Sequence, residues 1–428
     1  MYKKRNILPV IFALALLCSS CESSIDEFSP HAGDIDFTTY VAIGNSLTAG
    51  FRDGELFRSG QEQSLANIMA SQFMHVGLSS FKQPLMKDEL GFGSRLILGT
   101  LEDGSPFPMP MPGTPDAGNF VNIFQEEGPF HNLGVPGATA AHLLFEGYGT
   151  LNPYYGRFAS DPASSSVLGD AMMLSPTFFS LWAGNNEILG FAMNGGQGGG
   201  ITPPTMFQEY LQILVSTLTS GGAKGVLGNI VDITTIPFFT TVPYNALVLT
   251  DPDLVALLNA AYAAAPHIEF SVGPNPLVVA DTDHPAGLRQ MEAGELVVLT
   301  ALDGISNQFW GSQVPLPMEY YLSQAEIDQV TQAVKSYNDI IQDVGFEAGL
   351  AVADINSVLR NAEPGIYYDA IGFSTEFVTG GVFSLDGVHL SARGSAITAG
   401  YFIQAINQQY NAAIPKPVIG NYPGIQFP

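Results

Sequence analysis

Cysteine is almost missing: the 428 residues hold two, Cys18 and Cys21, both near the start. Nothing after position 21 can form a disulfide framework or a thiolate metal site, so burial must stabilise the body of the chain. Charge is scarce and one-sided. Only 13% of residues are charged, and 15 Lys and Arg stand against 40 Asp and Glu, a formal net charge of −25. Such a surface repels nucleic-acid phosphates and anionic lipid heads, which excludes nucleic acid as a partner. Long apolar runs are also lacking. The run at residues 7–17 is too short to span a bilayer as a helix. The glycine-rich stretch at 195–200 has no Lys-Ser/Thr ending, so it is not a phosphate loop.

What is present begins with an export signal. Met1-Tyr2-Lys3-Lys4-Arg5 is basic, residues 7–17 are apolar, and Cys18-Ser19-Ser20-Cys21 ends in small residues. That ending resembles a bacterial lipoprotein cleavage box, although Cys18 stands where an aliphatic residue is more usual. The resemblance implies removal of residues 1–20 and lipidation of Cys21. It also implies a chain held on the cell envelope, with the outer membrane expected, and touching the membrane only through that anchor. Residues 21–36 are polar and acidic and are expected to be a tether, leaving 37–428 as one enlarged domain.

The chemistry gathers in four places. Tyr40-Val41-Ala42-Ile43-Gly44-Asn45-Ser46-Leu47 reads as a buried strand ending in a turn that lifts one hydroxyl to the strand's carboxyl end. Ligands bind at that end of open α/β sheets. Ser384-Leu385-Asp386-Gly387-Val388-His389 places an Asp three residues before a His, just ahead of a helical pattern. A serine nucleophile needs a base, and the base needs a carboxylate to fix its tautomer. Between these lie Asn132-Leu133-Gly134-Val135-Pro136-Gly137 and Gly184-Asn185-Asn186-Glu187, each a strand running into a turn with donors suited to an oxyanion.

In this order the four blocks resemble the SGNH (GDSL) hydrolase family. The resemblance implies a Ser46, His389 and Asp386 triad, with Ser46, Gly134 and Asn186 donating to the oxyanion and no metal or cofactor. It departs from the family twice. Asn45 stands where an Asp precedes the serine, and Glu187 stands where an Asp follows the oxyanion Asn. Both are expected to support the site through hydrogen bonds rather than to do chemistry. The implied fold is a three-layer α/β/α sandwich of flavodoxin-like type with a parallel sheet.

Alternating strands and helices by themselves give a parallel sheet covered on both faces, which the resemblance sharpens to that sandwich. Residues 85–118 carry Pro106, Pro108, Pro110, Pro112 and Pro115, and are expected to be irregular and to wall the cleft. Residues 237–318 are expected to be an inserted cap. His131 is either a cleft residue or a strand residue with a satisfied ring, His142 a structural residue. Asp281-Thr282-Asp283-His284 matches no strong metal-ligand spacing. Three functions follow from this reading. The first is an esterase or lipase acting on a small-molecule, lipid or glycan ester. The second is a carbohydrate O-deacetylase on external polysaccharide. The third is a binding lipoprotein on a hydrolase scaffold, a role for which an intact triad serves no purpose. Oligomeric state is not written in the sequence.

Overall fold

The chain's first strand, β1 (Tyr40–Gly44), is buried at all five positions, as an apolar run covered on both faces of a parallel sheet must be. It sits inside a five-stranded sheet in a computed structural model that describes residues 28–101, 104–362 and 365–428. The leader, Cys21 and the first part of the tether lie outside the described residues.

In chain order the framework runs β1, α1 (Ser46–Ala49), α2 (Leu65–Phe73), the hairpin β2 (Leu96–Thr100) and β3 (Pro106–Pro110), β4 (Asn132–Gly134), α3 (Ala140–Leu144), β5 (Phe178–Trp182) and α4 (Asn185–Met193). It continues with α5 (Pro204–Thr219), β6 (Lys224–Gly228), α6 (Gln324–Glu347), β7 (Ala351–Ala353) and α7 (Ala392–Tyr410). The strand order is β7-β6-β5-β1-β4, and every pairing is parallel. Helices α2 and α7 cover one face, while α3, α4, α5 and α6 cover the other. The two faces alternate along β6. Gly228 faces Phe402 of α7 and Leu227 faces Gly345 of α6. This is the expected three-layer α/β/α sandwich.

Two expectations need correcting. The tether ends earlier than residue 36. Asp34 N–H donates to Tyr410 O at 3.0 Å, His31 and Ala413 exchange backbone bonds, and Ile35 and Phe37 are buried in the core. Alternation explains the error: Asp34 and Asp36 carry the acidic character outward while Ile35 turns in.

The proline-rich stretch is not irregular throughout either. β2 and β3 pair antiparallel, with Leu96, Leu98 and Thr100 opposite Pro110, Pro108 and Pro106. Met111 N–H donates to Arg95 O at 2.7 Å and Leu101 N–H to Ser105 O at 2.8 Å. The odd residues of β3 therefore carry the ladder, and all three prolines point their missing donors away from it.

The insertion at 237–318 adds a strand pair, Leu247–Leu249 with Gly273–Asn275, and a helix at Pro252–Ala261. It also carries a small core of its own around Leu258, Ile268, Phe270 and Val278. No helix among the described residues is long and apolar enough to cross a membrane.

Candidate active site

The β1 to α1 turn fixes the serine. Asn45 precedes the short helix α1, and its side chain accepts the Leu47 N–H at 3.0 Å, which caps the helix and leaves Ser46 at its first position. Ser46 Oγ lies 2.9 Å from His389 Nε2, and His389 Nδ1 lies 2.9 Å from Asp386 Oδ2. Phe51 packs against the imidazole with ring centroids 4.7 Å apart. The three side chains sit 343 residues apart at their widest and are joined at the carboxyl edge of the sheet.

Asp386 is held on every side. Its Oδ1 accepts the N–H groups of Val388 at 2.9 Å and His389 at 2.8 Å, and the Ser384 hydroxyl at 3.1 Å. Its Oδ2 accepts the Gly54 N–H at 3.0 Å as well as facing the imidazole. Burial pushes this carboxyl up, but the electrostatic pull of the His389 imidazole and these hydrogen bonds outweigh it and hold the group well below the usual carboxylate range. The carboxylate therefore stays ionised and fixes which imidazole nitrogen carries the proton.

The loop after the nucleophile was not singled out from the sequence, yet it supports the triad. Asp53 N–H donates to Ser384 Oγ at 3.0 Å, Leu385 N–H donates to Asp53 Oδ1 at 3.0 Å, and Gly54 reaches Asp386 directly. The available signal was the Asp53-Gly54 turn pair, with Ser384 two residues before the acid. From the insertion, Phe238 N–H donates to Gly387 O at 2.9 Å, which ties the insertion to the histidine loop.

On the oxyanion side one expected residue moves. Gly134 pairs with Gly44 in the sheet, is fully buried, and gives its N–H to Asn132 Oδ1 at 3.0 Å. It is not available to an oxyanion. Gly137, three residues on, lines the cleft with Ser46 and Asn186, at φ +79° and with open space where a Cβ would be. Its N–H has no acceptor among the described residues, and neither does the Ser46 N–H at the start of α1. Asn186, the second residue of α4, donates one amide hydrogen to Ala138 O at 2.8 Å, leaving the second free. Three residues with a spare donor thus line the same cleft as the hydroxyl: Ser46 N–H, Gly137 N–H and Asn186 Nδ2.

Glu187 makes a second tie between the same two turns, accepting the Ala140 N–H on Oε1 at 2.6 Å. Its Oε2 is buried with no partner among the described residues. Burial outweighs the backbone bonds and pushes its carboxyl up to about 7. Asn185 beside it is buried with neither amide atom partnered among those residues.

The cleft itself measures about 580 Å³. Leu96, Phe107 and Pro108 of the hairpin wall one side, and Phe238, Leu299 and Leu302 of the insertion another. Polar groups in it are mainly those of the triad and the oxyanion donors. His131 stays outside: its Nδ1 accepts the Lys82 N–H at 3.0 Å, and burial together with Lys82 pushes the ring down. His142 belongs to a capping box with Thr139 at the start of α3 and stacks on Tyr148. Asp281 pairs with Arg289 at 2.6 Å, and no group of side chains fit to hold a metal occurs among the described residues.

No family profile matches the chain, and no curated protein does. Several solved structures overlay on it loosely. The lipase/acylhydrolase from Enterococcus faecalis is 12% identical, with 89% of this chain and 99% of that one covered at a TM-score of 0.34. The acetylxylan esterase Axe2 from Geobacillus stearothermophilus is 11% identical, with 87% and 96% covered at 0.36. The α/β hydrolase LAE5 from the metagenome of Lake Arreo is 11% identical, with 87% and 96% covered at 0.36. Overlays this loose leave function to the side-chain geometry.

Proposed function

We propose that the chain is a serine hydrolase that cleaves carboxylic esters through an acyl-enzyme. The observation that carries this reading is the continuous relay from Ser46 Oγ to His389 to the ionised Asp386, opening onto a cleft lined by three residues with free donors. His389 Nε2 takes the Ser46 proton as Oγ attacks the ester carbonyl. The tetrahedral oxygen is held by the N–H groups of Ser46 and Gly137 and by the Asn186 amide. His389 then gives the proton to the departing alcohol. In the second half it activates water against the acyl-enzyme, releasing the acid and restoring Ser46.

The apolar walls favour esters with acyl or aryl groups larger than acetyl, since an acetyl group leaves most of the cleft uncovered. Carbohydrate O-deacetylation is the second reading. It is favoured only if the sugar itself fills the cleft. A panel of acyl esters of rising chain length, run beside acetylated sugars, separates the two. Turnover that rises with chain length supports the first, turnover of acetylated sugars alone supports the second, and turnover of none is the result that leaves a binding lipoprotein.

We also propose that Cys21 carries a lipid and that the body is thereby held on the cell envelope. This rests on the basic start, short apolar run and small-residue ending of the leader. Cys21→Ser is expected to move the protein from the membrane fraction to the soluble one. Retention in the membrane fraction contradicts the anchor.

A further inference from the structure

A second cavity of about 520 Å³ lies behind the triad, walled by the loop after Ser46, the β2 strand, residues 384–385 and the tail at 423–428. Leu96 and Leu385 line both this cavity and the ester cleft, so the two share a wall. In a chain with 15 basic residues against 40 acidic ones, two of the arginines, Arg52 and Arg95, face this one cavity.

Both guanidinium groups are deeply placed and incompletely matched. The Arg52 side chain is 11% exposed. Its Nη2 donates to the neutral Gln63 Oε1 at 2.7 Å, and its nearest carboxylate, Asp53, stands 3.9 Å from Nε. Asp53 is a weak counter-charge, because burial pushes its carboxyl up and its Oδ1 already serves Leu385. The Arg95 side chain is 18% exposed and pairs with Glu89 at 2.7 Å, but Glu89 also accepts the backbone N–H and hydroxyl of Ser59. The two cations flank one ring, with the Arg52 and Arg95 Cζ atoms 5.3 and 3.6 Å from the Phe57 centroid. Arg52 Nη1 and Arg95 Nε are buried with no partner among the described residues.

A guanidinium keeps its charge when buried, and an unmatched buried donor is costly. Both cations line one cavity with little of the protein's own negative charge set directly against them: Arg52 meets Asp53 only at 3.9 Å, and Arg95 shares Glu89 with Ser59. We propose that this cavity is a binding site for a small oxyanion, the shared chemistry of a carboxylate, a sulfate and a phosphate, with Arg52 and Arg95 as its charged donors. Planar donor forks suit all three and match a carboxylate best. The site also touches the triad's support: Asp53, next to Arg52, bonds Ser384 and Leu385, and Ser384 bonds Asp386. An anion held there bears on the loop that orients His389.

The test is direct titration calorimetry on the purified protein with sodium sulfate, inorganic phosphate and sodium glucuronate, each against sodium chloride at equal ionic strength. One saturable site for at least one probe is expected, and which probe binds identifies the class. Affinity is expected to fall tenfold or more in Arg95→Gln, the loss of one charge-assisted donor set. Arg52→Gln is expected to do the same if it folds. Ser46→Ala is expected to bind as the parent does, which separates this site from the ester cleft and from the esterase reading. No saturable binding beyond the chloride control overturns the proposal, and so does binding unchanged in Arg95→Gln or lost in Ser46→Ala.

Discussion

The two halves of the candidate site are built on opposite terms. On the nucleophile side nearly every polar atom is matched: Asp386 accepts from Gly54, Ser384, Val388 and His389, and the imidazole bridges it to Ser46. On the oxyanion side the donors are left open: the N–H groups of Ser46 and Gly137 have no acceptor among the described residues, and Asn186 keeps one amide hydrogen free. A base must be oriented before the reaction starts, whereas an oxyanion exists only while it runs. Donors already satisfied in the resting protein stabilise the ground state; donors held empty stabilise the transition state alone.

The largest break in that comparison comes from the matched half. Asp386→Asn keeps the shape of the side chain but changes what it offers the imidazole, and kcat is expected to fall about 10⁴-fold with KM little changed. Steady-state kinetics on the best ester checks the split. Asn186→Ala removes one open donor, and kcat is expected to fall about 10² to 10³-fold, again with little change in KM. A KM effect larger than the kcat effect in either variant contradicts the division of roles.

The two glycines sharpen the comparison, because the same substitution should strike different properties. A Cβ on Gly134 would sit 2.3 Å from Ala49 N, which is backbone and cannot give way. Gly134→Ala is therefore expected to lower Tm by many degrees. Gly137 has open space around its missing Cβ but lies at φ +79°, so Gly137→Ala re-aims a donor at a cost of about 1–2 kcal/mol in backbone strain. Its main loss is expected in kcat, read beside thermal unfolding of both variants.

Glu187 gives the smallest and most pH-specific test. Its folded carboxyl is raised to about 7 from an ordinary 4.5, so the folded chain binds a proton that the unfolded chain has lost. Stability from this group is present below about pH 4.5, declines up to about pH 7, and is then lower by about 3 kcal/mol. Asp386 has the opposite sign: its lowered carboxyl contributes stability above the ordinary carboxylate range that is lost as pH falls. Unfolding curves across pH should show Glu187→Gln gaining on the parent toward neutral pH. A difference between the two that does not vary with pH contradicts the burial argument.

The matched half was legible in the sequence because its chemistry is contiguous there. Asp386 and His389 lie three residues apart, and Ser46 closes an unmistakable apolar strand. The oxyanion half was only partly legible. Gly134 and Gly137 are equivalent as letters, and only the β1 to β4 register, which sets Gly134 against Gly44, shows that the first is sheet and the second is cleft. Prolines misled for a related reason. Their spacing of two, which leaves β3 free to pair, is invisible when each is counted as a breaker. Asp53 and Gly54 carry no chemistry of their own, so locally they read only as a turn; their role exists only once residues 331 and 332 positions away fold against them.

The central claim is that one serine is activated. It is tested most directly by treating the folded protein with a fluorophosphonate and mapping the adduct by mass spectrometry. The expected result is a single labelled site at Ser46, absent in Ser46→Ala and strongly reduced in His389→Ala, because no other serine hydroxyl among the described residues bonds an imidazole. A folded protein that takes no label at Ser46, or that labels equally well without His389, contradicts the account.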